Sequence, residues 1–272
     1  PQIYATSKHI RCKWVLETLE QHGGRLQWRG GERVLDIGCG IGDITRSCIL
    51  PLLPRDFKRL VCADASSDML DAARSELLGV EHVDFLQMDI GKSLEDNLMG
   101  TFDKIFSTLC LMYVPDQRKT FENIFQLLAP GGECFIILVI TGAIFETGFQ
   151  LSETPKWKDK LRRYREVFPF PYREDPEPVK TMEDLLKSVG FKNFFVKREN
   201  FNLIYPTSEK FRETLKCLPD FPNDMTKEEK LELLDDQVKL GETYNLIQEF
   251  RDESKPIKQI LFENLIIHAQ KA

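Results

Sequence analysis

Residues 34–43 read Val34-Leu35-Asp36-Ile37-Gly38-Cys39-Gly40-Ile41-Gly42-Asp43. Apolar, β-compatible residues run into an acid, and glycines then stand at 38, 40 and 42. Glycine tolerates positive φ and lets a ligand approach the backbone closely. The following Asp43-Ile44-Thr45-Arg46-Ser47 reads as a helix start. Strand, glycine turn and helix together make the nucleoside- or phosphate-binding corner of a doubly wound α/β sheet. The spacing here is G-x-G-x-G, whereas the turn that cradles a dinucleotide pyrophosphate runs G-x-G-x-x-G. Asp36, inside the turn, would also repel a pyrophosphate. Both departures point to a cationic, phosphate-free nucleoside. No G-K-[ST] follows the glycines, which excludes a kinase or ATPase reading.

S-adenosylmethionine (SAM) is such a nucleoside. Its positive sulfonium suits carboxylates, carbonyls and aromatic faces, not Lys or Arg. Outward from the glycine turn, strand and helix patterns alternate to about residue 140. Strands are expected at Arg33 to Ile37, Arg59 to Asp64, Val83 to Met88, Phe102 to Leu109 and Cys134 to Ile140. Helices are expected at Asp43 to Leu53, at Ser67 to Leu78 with Ser66 or Ser67 as N-cap, and at Asp116 to Leu128, stopped by Pro130-Gly131-Gly132. Repeated β-α-β units imply a mostly parallel, Rossmann-like sheet with right-handed crossovers. Beyond it the pattern loosens. A helix spans Thr181 to Val189, a strand Phe194 to Asn202, helical sequence 207 to 251, and a last strand Gln259 to Ala269. A chain that returns to its sheet so late carries an inserted helical cap.

The expected organisation is one SAM-binding domain over 1–272. Residues 1–30 form an N-terminal helical lid segment and 30–140 the SAM-binding core. Residues 141–255 form a mixed substrate cap with a returning strand, and 256–272 the final strand. At 272 residues there is ample chain for a core, and the formal net charge of −6 offers no field for nucleic acid. The basic run from Lys156 to Arg165 holds Trp157 and Leu161, so it reads as the solvated face of an amphipathic helix. The seven cysteines contain no C-x-x-C pair, and Cys39, Cys62, Cys110 and Cys134 fall on or beside strands. They read as reduced thiols used as small apolar residues. The four histidines lack metal-ligand spacing, so no metal site is expected. No apolar run reaches the length of a membrane span, and no signal pattern opens the chain. A cytoplasmic monomer or homodimer is the expectation.

Asp64 ends the second strand, where an acid in a doubly wound sheet reaches ribose hydroxyls. Its plainer reading is the cap of the helix behind Ser66. Ala65 and Met69 follow closely enough to sandwich an adenine, although Met69 serves equally as an ordinary core residue.

The run from Glu32 to Gly42 resembles the first motif of class I SAM-dependent methyltransferases. Further segments resemble one subgroup, the arthropod juvenile hormone acid and farnesoic acid O-methyltransferases. These are Tyr4-x-x-Ser7, Cys110-Leu111-x-Tyr113-Val114-x-Asp116-Gln117, Phe121-Glu122-Asn123-Ile124, Leu127-Leu128-x-Pro130-Gly131-Gly132-Glu133-Cys134 and Pro155-Lys156-Trp157. The first resemblance covers roughly residues 30 to 140; the second extends more loosely over most of the chain.

The resemblance implies that Asp89 accepts a hydrogen bond from the adenine amine while the Ile90 backbone serves the ring; a loop-capping role is the alternative for Asp89. It implies that Asp36 orients the glycine turn or approaches the amino group of the methionine moiety, which backbone at Ser107 also holds. It implies as acceptor the carboxylate of a hydrophobic acid, isoprenoid or fatty. In the subgroup a glutamine near the N-terminus and a tryptophan after strand four grip that carboxylate. Matching the motifs puts Arg11 and Tyr113 at those positions, and both are departures. Arg11 can bind a carboxylate bidentately and Tyr113 can donate an O–H; Arg11 reads otherwise as a surface residue of a helix from about 7 to 22. A carboxylic acid is already ionised near neutrality and needs only positioning. An amine or alcohol would need a base, for which His9 is the candidate. Phe145, Phe149, Phe168, Phe170, Phe201, Phe211 and Phe221, with Trp157 and Tyr172, are expected either to wall an apolar tunnel or to pack the cap onto the sheet. The competing readings are an N- or O-methyltransferase of another small molecule, and a SAM-binding protein without turnover.

Overall fold

In the computed structural model, which describes residues 8–205, 225–244, 247–252 and 255–272, the decisive stretch is strand β1 (Arg33–Ile37) running into the glycine turn. The other strands are β2 (Arg59–Asp64), β3 (Val83–Gln87), β4 (Phe102–Thr108), β5 (Leu128–Gly142), β6 (Lys192–Tyr205), β7 (Ile247–Asp252) and β8 (Lys255–Gln270). They form one sheet in the order β3-β2-β1-β4-β5-β8-β6, with β7 paired to β8. Strands β1 to β5 are mutually parallel, and β8 runs antiparallel between β5 and β6. Between β1 and β4 the order of winding reverses. The loops leaving these two strands part there, and the crevice they leave is where doubly wound sheets bind ligands.

Alternation along the strands builds two cores. Val34, Phe106 and Phe135 face one side of the sheet; Leu35, Ile105 and Ile136 face the other. The first side is covered by α1 (Lys8–His22), α2 (Ser67–Glu76) and α4 (Ala143–Ser152). The second is covered by α3 (Gln117–Leu127) and α5 (Pro178–Val189). Phe106, Phe121, Phe135 and Phe191 are fully buried, each contributing about 1.5–3 kcal/mol by leaving water. A further helix, α6 (Lys227–Thr243), packs Leu233 with Leu151, Trp157 and Leu161 of the cap.

The caps follow the side-chain chemistry. Ser66 accepts from the Met69 N–H at 3.3 Å and Asp116 from the Lys119 N–H at 2.9 Å. Gly190 ends α5 at φ +112, as a left-handed stop requires. Three expectations are corrected. The run Lys156 to Arg165 is a series of turns up to residue 163 and helical only over Tyr164–Val167, although Trp157 and Leu161 are buried as an amphipathic segment requires. The helix after the glycine turn is irregular, a π-turn over Thr45–Ile49 passing into a 3-10 turn over Leu50–Leu52. Pro51 has no N–H to donate and its ring crowds the preceding turn, so the α-helical ladder cannot continue through it. The end of the stretch expected to be helical is strand β7, because residues 247–252 pair with β8 and cross-strand pairing outweighs local propensity. Residues 207 to 224 of that stretch, with Phe211 and Phe221, lie outside the described residues, as do Tyr4 and Ser7.

Candidate functional site

Gly38, Gly40 and Gly42 have φ of +72, +56 and +79. The N–H groups of Gly38 and Cys39 both donate to Ala63 O, at 2.8 and 3.0 Å, sewing the turn to the end of β2. A Cβ on Gly38 would stand 2.1 Å from Cys110 Sγ. The glycine is there because the turn after β4 packs directly on it. A Cβ on Gly42 would press on Ala73 of α2 at 3.2 Å.

Four strand ends carry the polar groups. Asp36 is 1% exposed. Thr45 Oγ1 donates to its Oδ2 at 2.6 Å, while Oδ1 is buried with no hydrogen-bond partner among the described residues. Burial pushes the Asp36 carboxyl up to about 7, the Thr45 bond opposes this, and the carboxylates of Asp64 and Asp43 add to it. Asp64 accepts from the Gly40 N–H on Oδ2 and from the Ser66 N–H on Oδ1, both at 2.9 Å. It therefore joins the glycine turn to the cap of α2, and each oxygen retains further lone-pair capacity. Its main chain continues the connection, since Asp64 O accepts from the Met88 N–H just before Asp89. Asp89 Oδ1 takes the Gly91 N–H at 3.0 Å, and Lys92 Nζ stands 3.1 Å from Oδ2. Ile90 is buried and its carbonyl accepts from Asn123 Nδ2 at 2.7 Å. Ser107 is fully buried and donates to Ile37 O at 2.9 Å, joining the ends of β4 and β1. Ala65 is exposed beside this group and Met69 half-buried. Cys110 completes it: burial, helped by the Asp64 and Asp36 carboxylates, pushes its thiol up to about 12. It remains a neutral, inert filler under the turn.

Arg11 is not a surface residue; it is 8% exposed on α1. Its Nη2 donates to Asp43 Oδ2 at 2.6 Å, directly after the last glycine. Cys12 follows with a thiol contact to Asp43 O at 3.8 Å, and Cys48 Sγ lies 3.5 Å from Cys12 O. Helix α1 is thus fastened to the turn expected to hold the cofactor. His9 is exposed. Tyr113 sits in the 3-10 turn Leu111–Tyr113 that begins at Cys110, with ring centroids of Phe168 and Phe170 each at 6.1 Å. Phe145, Phe149 and Tyr164 extend that aromatic group. Phe201 joins it by another route, stacking on Trp14 of α1, which meets Phe262, which meets Phe145. Tyr172 packs instead with Met182 on the opposite core, and Trp157 donates to Asp236 of α6 at 2.8 Å. Sequence reasoning missed Trp14, Phe262 and Asn123. Asn123 stood in a motif without a role, and nothing in the spacing of the other two marks them.

This chain is similar to proteins of known class. A family profile described as "Methyltransferase domain" matches residues 35–134, the segment from β1 into β5. The juvenile hormone acid O-methyltransferase of Bombyx mori is 29% identical over 229 residues, covering 83% of this chain and 81% of that protein. The enzyme of the same name from Drosophila melanogaster is 29% identical over 241 residues, covering 87% and 80%. Together with the glycine turn at the head of a β3-β2-β1-β4-β5-β8-β6 sheet, these matches decide the class. The chain is a SAM-dependent methyltransferase that resembles the class I enzymes. Its fold is also that of a Bacillus halodurans structure described as a methyltransferase, at TM-score 0.60 and 18% identity over 94% of this chain and 99% of that one. A Haemonchus contortus phosphoethanolamine N-methyltransferase, solved with phosphomonomethylethanolamine and S-adenosylhomocysteine, superposes at TM-score 0.55 and 18% identity, over 95% of this chain and 53% of that one.

The methyltransferase's own groups fit SAM. The crevice gathers Asp36, Asp64 and Asp89, and the guanidinium of Arg11 is already bonded to Asp43. Asp36 Oδ1 is a buried acceptor that suits an ammonium or other N–H donor. Among the described residues no cluster of metal-ligating side chains occurs, and no helix is long and apolar enough to cross a membrane.

Proposed function

We propose that this methyltransferase acts on the carboxylate of a hydrophobic acid, isoprenoid or fatty, and makes its methyl ester. The reading is supported by the two juvenile hormone acid O-methyltransferases, each aligned over four-fifths or more of this chain. The observation that carries it is the seat of Tyr113. Its turn starts at Cys110, packed on Gly38 of the cofactor turn, and ends under the aromatic residues of the cap. A phenol ring packed against apolar rings, three residues after a cysteine packed on the glycine turn, suits a ligand with an acid head and an apolar tail.

In this reading Asp64 takes the ribose hydroxyls, with Ala65 and Met69 flanking the adenine and Asp89 and Ile90 at its polar edge. Asp36 and the backbone at Ser107 take the methionine amino group, while Gly38 and Gly42 let the turn pack on Cys110 and Ala73 and Gly40 lies at the bond to Asp64. Bound SAM supplies an electrophilic methyl group on a sulfonium. The protein's own task is positioning. Tyr113 donates its O–H to one acceptor oxygen, and Arg11, oriented by Asp43, provides charge-assisted donors. No side chain has to remove a proton, because the acceptor is ionised at neutral pH. The cap rings exclude water, which strengthens each of these polar contacts.

The test is a product assay with methyl-labelled SAM and a panel of C12 to C16 fatty acids, C15 isoprenoid acids, an amine and a phenol. Base-labile methyl esters of the apolar acids are the expected product. Label appearing only in the amine or phenol overturns the assignment. SAM binding with no product across the panel points to a protein that binds without turnover.

A further inference from the structure

The rings against Tyr113 belong to a segment whose backbone is held at several points. Phe168-Pro169-Phe170-Pro171 crosses from the cap to the turn after β4. The Phe170 N–H donates to Met112 O at 3.2 Å, fastening the segment one residue from Tyr113. Phe170 itself has φ +39, a left-handed value that is a marked outlier for a bulky side chain. Beyond it, the Arg173 N–H donates to Phe170 O at 3.0 Å. The Arg173 guanidinium then grips Glu146 of α4 through Nε at 2.8 Å and Nη2 at 3.1 Å. Two prolines, a bidentate ion pair and a bond to the Tyr113 turn keep a strained backbone in one place.

The packing is equally fixed. Phe145 lies 4.6 Å from Phe170 and 5.4 Å from Phe168, centroid to centroid, and Tyr164 lies 4.7 Å from Phe168. Phe145, Phe168 and Phe170 are at most 5% exposed, while Tyr113 is half-buried. Rings this close leave no slack on the Phe168 and Phe170 side, and a close-packed wall tolerates little added volume.

We propose that Phe168 and Phe170 are specificity-determining residues: they limit the width of the acceptor beside Tyr113 and admit carboxylic acids whose α-carbon is unbranched. The inference rests on the reading that Tyr113 holds the acceptor carboxylate. The α-carbon is two bonds from the oxygen held by Tyr113, and Phe168 and Phe170 lie against that tyrosine with centroids at 6.1 Å, so a methyl group on the α-carbon competes with these rings for space. Branching further along the chain lies beyond them and is not selected here.

The experiment compares a straight-chain C12 acid with its 2-methyl analogue in the wild type, Phe168→Leu and Phe168→Ala. kcat/KM is measured for both acids, and SAM affinity is measured as a check on folding. The wild type is expected to favour the unbranched acid at least tenfold. Phe168→Ala is expected to raise the branched-to-unbranched ratio at least tenfold, with Phe168→Leu in between and SAM affinity within about twofold. If Phe168→Ala does not fold, Phe168→Leu decides the outcome alone. Equal use of both acids by the wild type, or a ratio unmoved in a variant that still binds SAM, overturns the proposal and leaves carboxyl methylation standing. A wild type that esterifies no acid defeats both.

Discussion

Gly38 and Cys110 occupy one another's space: a methyl group on the glycine would fall 2.1 Å from the thiol sulfur and 2.5 Å from its Cβ. Two costs follow for Gly38→Ala. One is the left-handed backbone at φ +72, worth about 1–2 kcal/mol; the other is the overlap. Only the second is removed by changing the partner. Gly38→Ala should lose stability and weaken SAM binding at least tenfold. Adding Cys110→Gly should recover part of the loss, whereas Cys110→Ala should recover little, because its Cβ stays in the way. A double-mutant cycle on melting temperature checks this, and strict additivity of the two changes would refute the contact.

Asp64 bonds both the glycine turn and the start of α2. Asp64→Asn keeps one acceptor oxygen and loses the charge; Asp64→Ala loses both bonds. SAM binding should weaken at least tenfold in each, equivalent to about 1.4 kcal/mol or more. Only Asp64→Ala should also lower the melting temperature clearly. Calorimetric affinities equal to the wild type in folded variants would remove Asp64 from the cofactor site.

Asp36, raised to about 7 by burial, gives the free protein a proton that an arriving ammonium displaces. Such a carboxyl binds more protons folded than unfolded between about pH 4 and 7, so its contribution to stability falls as pH rises through that window. Binding of a cation has the opposite preference and should strengthen with pH up to about 7. Titrations at pH 6.5 in buffers of different ionisation enthalpy should reveal proton release on SAM binding, abolished in Asp36→Asn. Absence of release in the wild type would place the amino group elsewhere.

Arg11 and Asp43 form a buried pair, 10% and 2% exposed in their side chains. Removing one partner of such a pair costs about 3–5 kcal/mol, so Arg11→Ala should be less stable than Arg11→Gln, which keeps a donor. For catalysis, Arg11→Ala should lower kcat/KM for the acid at least tenfold, with Arg11→Gln retaining partial activity and SAM affinity nearly unchanged in both. At saturating SAM the kcat profile should be flat from about pH 6 to 9, since the acceptor stays ionised. A fall in SAM affinity matching the fall in kcat/KM would assign Arg11 to the carboxylate of the cofactor instead.

The parallel half of the fold was legible because its signals are local. Glycines at alternate positions, a serine before a helix and apolar runs of strand length each act within a few residues, and β1, β2, β3 and β4 begin where their sequences say. The candidate residues Asp36, Asp64, Asp89 and Ser107 could be proposed for the same reason, since each stands at or just beyond the end of a strand. The cap half was harder to read. Strand β7 has no pattern that separates it from the helix before it, and its pairing with residues 255–260 is what makes it a strand. Arg11 illustrates a different limit. On a helix with little amphipathic patterning it resembles a solvated arginine, and only the return of the chain to Asp43 reveals it as buried. Trp14 and Phe262 meet across most of the chain's length, a separation at which spacing carries no information.

Among the described residues strand β8 follows every other strand in the sequence, yet it lies inside the sheet, between β5 and β6. While a chain is being made, the parallel strands can assemble and the cofactor corner can close, but the lane between β5 and β6 stays vacant until residues 255–270 arrive. During that interval two rows of backbone N–H and C=O groups are open to any passing strand, and the pairing that closes them joins distant parts of the chain, which is slow. The newborn protein is therefore most exposed to self-association after β6 is made and before β8 arrives, and deletion of this one strand should leave the glycine turn formed and the chain insoluble.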